Sequence, residues 1–252
     1  MDNIVISGIQ FDIVWEDKNA NLKKLESFIQ DIPSGSDIIL LPEMFTTGFS
    51  MNSGKLAETM TGKSVSWMKE IAKSLNKVIA GSLIIHDDNK FRNRFLWVEP
   101  EGNIHFYDKK HSFNPGGEGE FYTNGDERKI INYNGWKIFP SVCYDLRFPS
   151  WLKNDLGYDI LINVASWPKI RATHWKTFLR SRAIENQSYV AGINRIGKDG
   201  RDITYSGDSA MYNYNGDLLT SLGNIEGIIT ASFSKPELEE YRKKYPFLGD
   251  ME

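Results

Sequence analysis

The sequence has a single cysteine among its 252 residues. One cysteine excludes an internal disulfide framework and a zinc site built from several cysteines. No apolar run approaches the roughly 18 residues that a membrane helix requires. The first residues also lack the basic segment and the long apolar segment of a signal peptide. These absences predict a soluble protein of the cytoplasm without a membrane partner.

An excess of charge of one sign is also missing, because 30 basic and 33 acidic side chains leave a net charge of −3. A chain without excess positive charge has little attraction for nucleic acid or for an acidic membrane surface. We therefore expect no nucleic-acid partner. Apolar residues make up 40% and charged residues 25% of the chain, which predicts a globular rather than a disordered protein.

Repeats, low-complexity tracts and proline-rich or serine-rich linkers are absent as well. The stretch richest in glycine, residues 114–119, is too short for a domain linker. Single α/β domains often reach the length of this chain. Residues 1–252 are therefore predicted to form one domain.

The hydrophobic pattern alternates between strands and helices early in the chain, whereas hairpin signals dominate later. Short continuous apolar runs, typical of buried strands, occupy residues 4–11, 37–41, 77–85 and 159–164. Helical patterns occupy residues 22–29, 65–75 and 173–187. The turn Asn134-Gly135 is the strongest of the hairpin signals. This order predicts an α/β sheet with substantial antiparallel pairing.

The last predicted strand, residues 228–233, is followed by a helix start signal. Ser234 and Glu237 have the spacing of a capping box, in which each side chain accepts a hydrogen bond from the other residue's backbone N–H. We therefore predict a helix that begins after Ser234 and a reciprocal cap at its first turn.

Three polar residues that could carry chemistry come directly after predicted strands. Glu43 follows residues 38–42, Lys109 follows residues 104–108 and Cys143 follows residues 136–142. Reactive groups in α/β sheets collect at the carboxyl ends of strands, so the three could face one pocket. Each also has a plainer interpretation, since a lone cysteine is usually a small buried hydrophobe and a single charged residue is usually solvated.

The sequence strings around these residues narrow the choice. They are Leu40-Leu-Pro-Glu43-Met-Phe45, Tyr107-Asp-Lys109-Lys-His-Ser-Phe113 and Ser141-Val-Cys143-Tyr-Asp-Leu-Arg147-Phe-Pro149. Together, and in this order, they resemble the three catalytic motifs of the nitrilase superfamily, the carbon–nitrogen hydrolases. The resemblance extends over nearly the whole chain. It implies a four-layer αββα sandwich, a Glu-Lys-Cys catalytic triad, no metal ion or organic cofactor, and a homodimer.

Within the superfamily, the sequence resembles the omega-amidase branch. The stretches that carry this resemblance are residues 143–149, 163–168, 174–175 and 182–195. The resemblance implies a hydrolase of linear amides that releases ammonia from omega-amides of short dicarboxylates, such as 2-oxoglutaramate and succinamate. Two alternatives stay open. The same triad could act on a nitrile, an N-carbamoyl compound or a metabolite in need of repair, or the chain could be a non-catalytic binding protein on this fold.

The resemblance assigns a role to each residue of the triad. Cys143 would attack the amide carbonyl and form a thioester, which divides a difficult hydrolysis into two steps. Glu43 would take the thiol proton and later pass a proton to the departing ammonia. Lys109 would lower the pKa of the thiol and, with the backbone N–H of Tyr144, hold the developing oxyanion. The family pattern selects Lys109 over Lys110, and neighbouring residues of a strand point to opposite faces.

Further residues are predicted to support the triad or to bind substrate. Glu118 resembles an additional pocket glutamate of the family, although Glu120 lies close by as an alternative. Arg147 could bind the carboxylate of a substrate, or it could pair with a structural acid. Phe113, Trp167 and Thr173 are predicted to form walls of the pocket, although ordinary core is the commoner place for aromatic side chains. Tyr144 joins the predicted substrate-binding residues through its backbone N–H.

Histidine-based chemistry is the remaining possibility. A Cys-His arrangement could use His111 or His174, but His111 lies inside the lysine motif, where a supporting role is expected. The His-Glu-x-x-His spacing of metallohydrolases is absent from the sequence.

Overall fold

Two six-stranded β-sheets form the centre of the molecule in the computed structural model, which describes residues 1–250. The strands are β1 (Asn3–Gln10), β2 (Ile38–Leu40), β3 (Val78–Asp87), β4 (Lys90–Val98), β5 (Ile104–Asp108), β6 (Ile131–Tyr133), β7 (Trp136–Val142), β8 (Ile160–Ala165), β9 (Tyr189–Asn194), β10 (Ile196–Lys198), β11 (Thr204–Ser206), β12 (Ala210–Tyr212), β13 (Leu218–Ser221) and β14 (Gly227–Ser234). The helices are α1 (Lys18–Gln30), α2 (Ser53–Leu56), α3 (Lys63–Leu75), α4 (Glu118–Phe121), α5 (Pro149–Leu152), α6 (Ala172–Glu185) and α7 (Lys235–Lys244).

The two sheets have similar internal plans. The first sheet has the strand order β14-β1-β2-β3-β4-β5, and the second has the order β13-β12-β9-β8-β7-β6. Each contains three neighbouring parallel strands, β1, β2 and β3 in the first and β7, β8 and β9 in the second. Antiparallel strands complete both sheets, and β10 and β11 form a separate hairpin. The predicted combination of parallel strands and antiparallel hairpins is confirmed.

The sheets pack face to face, and helices cover their outer faces. The apolar stripe of α1, which includes Leu22 and Leu25, packs with α3 against one face of the first sheet. On the other face of that sheet, Trp97 belongs to the same buried cluster as Phe139 of the second sheet. Trp175 and the rest of the buried side of α6 extend this cluster on the second sheet. The order helix, sheet, sheet, helix confirms the predicted four-layer αββα sandwich.

Gly8 of β1 lies at a close approach between the two sheets. A Cβ atom at this position would lie 2.1 Å from Cδ1 of Ile193 on β9 and 3.6 Å from Cγ1 of Ile229. Because overpacking of a close-packed core costs about 1–3 kcal/mol, we expect Gly8→Ala to lower the free energy of unfolding by this amount. The shift of the urea midpoint measures it.

Gly54→Ala is the matched control for this prediction, because nothing lies within 4 Å of a Cβ atom at Gly54. It should leave the stability unchanged or raise it slightly, since alanine is the better helix former. Equal midpoints for the two variants would contradict the close sheet-to-sheet contact at Gly8.

The local signals had different outcomes. Asn134 and Gly135 have positive φ angles of 49° and 85° and join β6 to β7, as the Asn-Gly signal predicts. The Ser234 hydroxyl accepts from the N–H of Glu237 at 3.5 Å, but the N–H of Ser234 donates to the hydroxyl of Tyr189 at 3.0 Å. The predicted reciprocal cap is therefore wrong, because Ser234 still belongs to β14 and its N–H already has a partner.

Candidate active site

A cavity of about 310 Å³ opens at the end of the sandwich where β7 and β8 of the second sheet finish. Cys143 lies in its wall, together with four of the predicted substrate-binding residues, Phe113, Tyr144, Arg147 and Trp167. Thr173 does not line the cavity and is exposed at the first turn of α6. The structure therefore brings most of the predicted substrate-binding set to one cavity and leaves Thr173 outside it.

Glu43 is completely buried just after β2. Its Oε1 atom accepts hydrogen bonds from Lys109 Nζ at 2.9 Å and from Asn93 Nδ2 at 2.7 Å. Its Oε2 atom accepts from the backbone N–H of Ser166 at 2.8 Å. Ser166 follows β8, so this last hydrogen bond joins the carboxylate of the first sheet to the second sheet. Three donors hold the carboxylate in one orientation.

Lys109 bridges two buried carboxylates. Its Nζ atom lies 2.9 Å from Glu43 Oε1, and 3.0 and 2.8 Å from the two carboxylate oxygens of Glu118. Burial lowers the pKa of Lys109, but the charges of Glu118 and Glu43 outweigh this effect and raise the pKa above its ordinary value. The side chain is therefore an ammonium ion throughout the neutral range.

The choice of Lys109 over Lys110 agrees with these contacts, but the strand argument for it was wrong. Strand β5 ends at Asp108, so neither lysine belongs to it. The N–H of Lys109 donates to the carbonyl of Asn93 at 3.0 Å, which extends the pairing with β4 by one residue. Lys110 is half-buried, with its Nζ atom 5.2 Å from the ring centroid of Trp151.

Glu118, rather than Glu120, belongs to the buried cluster. It begins α4, is completely buried, and accepts from the N–H of Phe113 at 2.6 Å and from Asn93 Nδ2 at 3.2 Å. Burial raises the pKa of Glu118 and Lys109 lowers it, with the net effect upward. Glu120 is exposed. The carboxylate of Glu118 is therefore placed to hold the Lys109 ammonium together with Glu43.

Cys143 lies at the sharp turn between β7 and the short 3₁₀ helix Cys143–Arg147. Its φ angle of 45° is in the left-handed region, which residues other than glycine rarely adopt. Burial and the charge of Glu43 raise the pKa of the Cys143 thiol well above its ordinary value, and the opposing effect of Lys109 is smaller. The expectation that Lys109 lowers the thiol pKa holds for its own contribution but not for the net result. The resting group is the thiol, which requires a base.

Asp145 fixes the cysteine turn to the lysine loop. Its carboxylate accepts from the N–H of Val142 at 3.0 Å, from the Tyr107 hydroxyl at 2.8 Å and from the backbone N–H of His111 at 2.9 Å. The Nδ1 atom of His111 lies 2.8 Å from the same carboxylate. His111 therefore supports the loop, as the sequence predicts, through an acid that sequence reasoning overlooked.

Asn93 is a second residue that sequence reasoning missed. Its amide N–H group donates to both Glu43 and Glu118, and its Oδ1 atom accepts from the Ser82 hydroxyl at 2.8 Å. The only signal was one amide side chain within the otherwise charged or apolar strand β4. Such a signal does not reveal the carboxylates that the amide binds, because they are distant in sequence.

Arg147 has no acidic partner within residues 1–250. Its Nη2 atom lies 3.1 Å from Nδ1 of His174. Its guanidinium carbon lies 5.8 Å from the ring centroids of both Tyr144 and Trp167, and 5.2 Å from that of Phe178. Arg147 is predicted either to bind the substrate carboxylate or to pair with a structural acid. The described residues provide no acid for the second role. The aromatic rings hold a cation in the cavity wall.

Two further features bear on the type of site. Within residues 1–250, no group of three or more His, Cys, Asp or Glu side chains is arranged to bind a metal ion. No helix in the same part of the chain has both the length and the apolar composition to cross a membrane.

Comparison with known families identifies the family of this chain. Residues 6–243 match the family described as carbon–nitrogen hydrolase. The chain belongs to the carbon–nitrogen hydrolase family. The family predicted from the three motifs is thereby confirmed, and the protein is a hydrolase that acts on carbon–nitrogen bonds other than peptide bonds.

The relatives of this carbon–nitrogen hydrolase are similar over their full length. Omega-amidase YafV of Escherichia coli is 42% identical, with 99% of this chain and 97% of the relative covered. A 2-oxoglutaramate amidase of Bacillus subtilis is 34% identical, with 98% and 96% covered. The crystal structure of a CN-hydrolase superfamily protein from Xanthomonas campestris, which has an arsenic adduct in its active site, superimposes with a TM-score of 0.97 at 37% identity, covering 100% of this chain and 98% of that one.

Proposed function

We propose that this protein is an omega-amidase that releases ammonia from monoamides of short dicarboxylates, with 2-oxoglutaramate and succinamate as the model substrates. The observation that carries the proposal is one cavity that contains a buried thiol, beside a Glu-Lys-Glu cluster, and Arg147, which has no acidic partner among residues 1–250. An omega-amide has a neutral amide at one end and a carboxylate at the other. Relatives named omega-amidase and 2-oxoglutaramate amidase support the assignment.

Formation of the thioester is the first half of the proposed reaction. Glu43 accepts the thiol proton of Cys143, and sulfur attacks the amide carbonyl carbon. Lys109 and the N–H of Tyr144 stabilise the negative charge that develops on the carbonyl oxygen. The carbon–nitrogen bond then breaks, and Glu43 returns the proton to the leaving nitrogen, so that ammonia departs and the acyl group stays on sulfur.

Water completes the proposed reaction. Glu43, again a carboxylate, takes a proton from a water molecule that attacks the thioester carbonyl. The carbon–sulfur bond breaks, the thiol regains a proton and the dicarboxylate leaves. Because Glu118 accepts two hydrogen bonds from Lys109, we assign it the role of holding that ammonium in place during both steps.

A substrate panel tests the proposal. The purified protein should release ammonia from 2-oxoglutaramate and succinamate with a kcat/KM at least about tenfold above that for an aliphatic nitrile or an N-carbamoyl amino acid, since a single charged contact accounts for such a ratio. Turnover of the nitrile or carbamoyl compound alone would move the assignment to that substrate class.

A lack of turnover of every compound in the panel would point to the non-catalytic alternative if Cys143 were still reactive. A protein whose Cys143 reacts with iodoacetamide, but which turns over none of these compounds, would fit the non-catalytic alternative. The homodimer implied by the family resemblance and the cytoplasmic location predicted from the sequence stay predictions. Analytical ultracentrifugation of the intact chain would test the first of them.

A further inference from the structure

The arginines that line the cavity differ from most other arginines of the protein in having no acidic partner among the described residues. Of the ten arginines in the sequence, six form ion pairs with acidic side chains in the part of the chain that the structure describes. They are Arg92, Arg94, Arg128, Arg182, Arg195 and Arg242. Three of the other four, Arg147, Arg171 and Arg201, line the cavity that contains Cys143.

Arg171 reaches the cavity from the segment before α6. It ends the short 3₁₀ helix Lys169–Arg171, and its carbonyl accepts from the indole N–H of Trp167 at 2.9 Å. Its guanidinium carbon lies 5.0 Å from the ring centroid of Phe113. An aromatic face holds a guanidinium by its flat side and leaves the N–H edges available for an acceptor.

Arg201 reaches the same cavity from the turn between β10 and β11. Its backbone N–H donates to Asp199 Oδ1 at 2.9 Å, which fixes the turn. An isolated antiparallel bridge between Pro168 and Tyr205 joins this hairpin to the segment that carries Arg171. The two arginines therefore stand on neighbouring segments that are tied together, and both face the cavity.

The charged groups that act on Cys143 differ in net sign from the charged side chains that line the cavity. Two buried glutamates and one lysine surround Cys143, so an anionic group close to the sulfur would meet a carboxylate excess. The three arginines line the same cavity as apolar side chains such as Phe49 and Ile203. Cations among low-dielectric walls attract an anion more strongly than the same cations in water.

We propose that Arg171 and Arg201 are specificity-determining residues that bind the distal carboxylate of the substrate. The cavity then selects open-chain amides with a carboxylate at the far end over neutral amides of the same length. This inference rests on the proposed omega-amidase function and deepens it, because it names two residues that lie outside the motifs of the triad.

Steady-state kinetics with a matched pair of amides tests the inference. Glutaramate carries a carboxylate at its far end, whereas glutaramide carries a second neutral amide. Arg171→Gln and Arg201→Gln should each raise the KM for glutaramate about 10- to 100-fold, the factor expected for one lost charge-assisted hydrogen bond. The kcat should change less than about threefold, and the preference for glutaramate over glutaramide should fall accordingly.

Lys169→Gln is the matched control. Lys169 is an exposed cation two residues before Arg171, and it does not line the cavity with Cys143. Its replacement removes the same charge from the same segment and should leave both KM values unchanged. Equal effects of Lys169→Gln and Arg171→Gln would overturn the inference, as would a KM increase of the same size for both amides.

A binding measurement separates failure of this inference from failure of the proposed function. Glutarate should slow the alkylation of Cys143 by iodoacetamide in a saturable way, and the neutral 1,5-pentanediol should not. Each arginine variant should require about tenfold more glutarate for equal protection. Protection of the wild type without amide turnover would keep the carboxylate site and reject the omega-amidase. Turnover of glutaramate with unchanged protection in both variants would keep the enzyme and reject the site.

Discussion

Replacement of Cys143 by alanine should lower the rate of ammonia release from 2-oxoglutaramate at least about 10⁴-fold, the scale on which the loss of a catalytic nucleophile acts. Cys143 is 8% exposed. It is the only cysteine in the chain, so the charged groups around it have no second thiol to activate. Ammonia assays with both proteins measure the ratio. The mass of the intact wild-type protein, quenched during turnover, should include an acyl adduct that the variant lacks.

Circular dichroism provides the control for this variant. Alanine removes only one sulfur atom, so the spectrum should match that of the wild type and any loss of activity should not arise from unfolding. A folded Cys143→Ala protein with more than a few per cent of wild-type activity would contradict the thioester mechanism. It would also remove the basis for reading the cavity as an active site.

Replacement of Glu43 by glutamine should have two separate effects, one on the rate of hydrolysis and one on the pKa of the Cys143 thiol. Hydrolysis should fall about 10²- to 10⁴-fold, because the proton acceptor is lost. The pKa of the Cys143 thiol should also fall, because burial and the negative charge of Glu43 raise that pKa in the native protein while Lys109 lowers it. The pH profile of alkylation by iodoacetamide should therefore shift to lower pH in the variant.

Glu120→Gln is the matched control for this pair of effects. Glu120 belongs to the same α4 segment as Glu118 but is exposed, so its replacement should alter neither the rate nor the alkylation profile. An alkylation profile of Glu43→Gln that stays in place or shifts to higher pH would show that the charge of Glu43 does not act on the thiol. The proposal that Glu43 is the general base, which requires Glu43 to lie close to the Cys143 thiol, would then be wrong.

The sequence predicts the parts of this site that are local. Apolar runs followed by a single polar residue place Glu43 and Cys143 at strand ends, and the same pattern suggests Lys109. Alternating helices and strands predict an α/β protein, whereas the four layers came from the family resemblance and not from periodicity. A pattern of burial shows that a strand has two covered faces, but it does not identify what covers them.

The parts that the sequence does not reveal depend on contacts between distant segments. Asn93 binds Glu43 across 50 positions of sequence, and Asp145 binds His111 across 34. Arg171 and Arg201 line the cavity that contains Cys143, and a bridge between Pro168 and Tyr205 joins their segments. Each contact follows from how the two sheets stack, and local propensity carries no information about that stacking.

The hydrogen bond between Ser166 and Glu43 has a consequence for how this protein loses activity on storage, on heating or in denaturant. Glu43, the proposed base, follows a strand of one sheet, and Cys143, the proposed nucleophile, follows a strand of the other. The distance between them is therefore also a distance between layers. A misplacement of about 1 Å is enough to cost a reaction 10²-fold. The catalytic rate should therefore fall when one layer shifts relative to the other. This fall should precede any loss of secondary structure that circular dichroism detects.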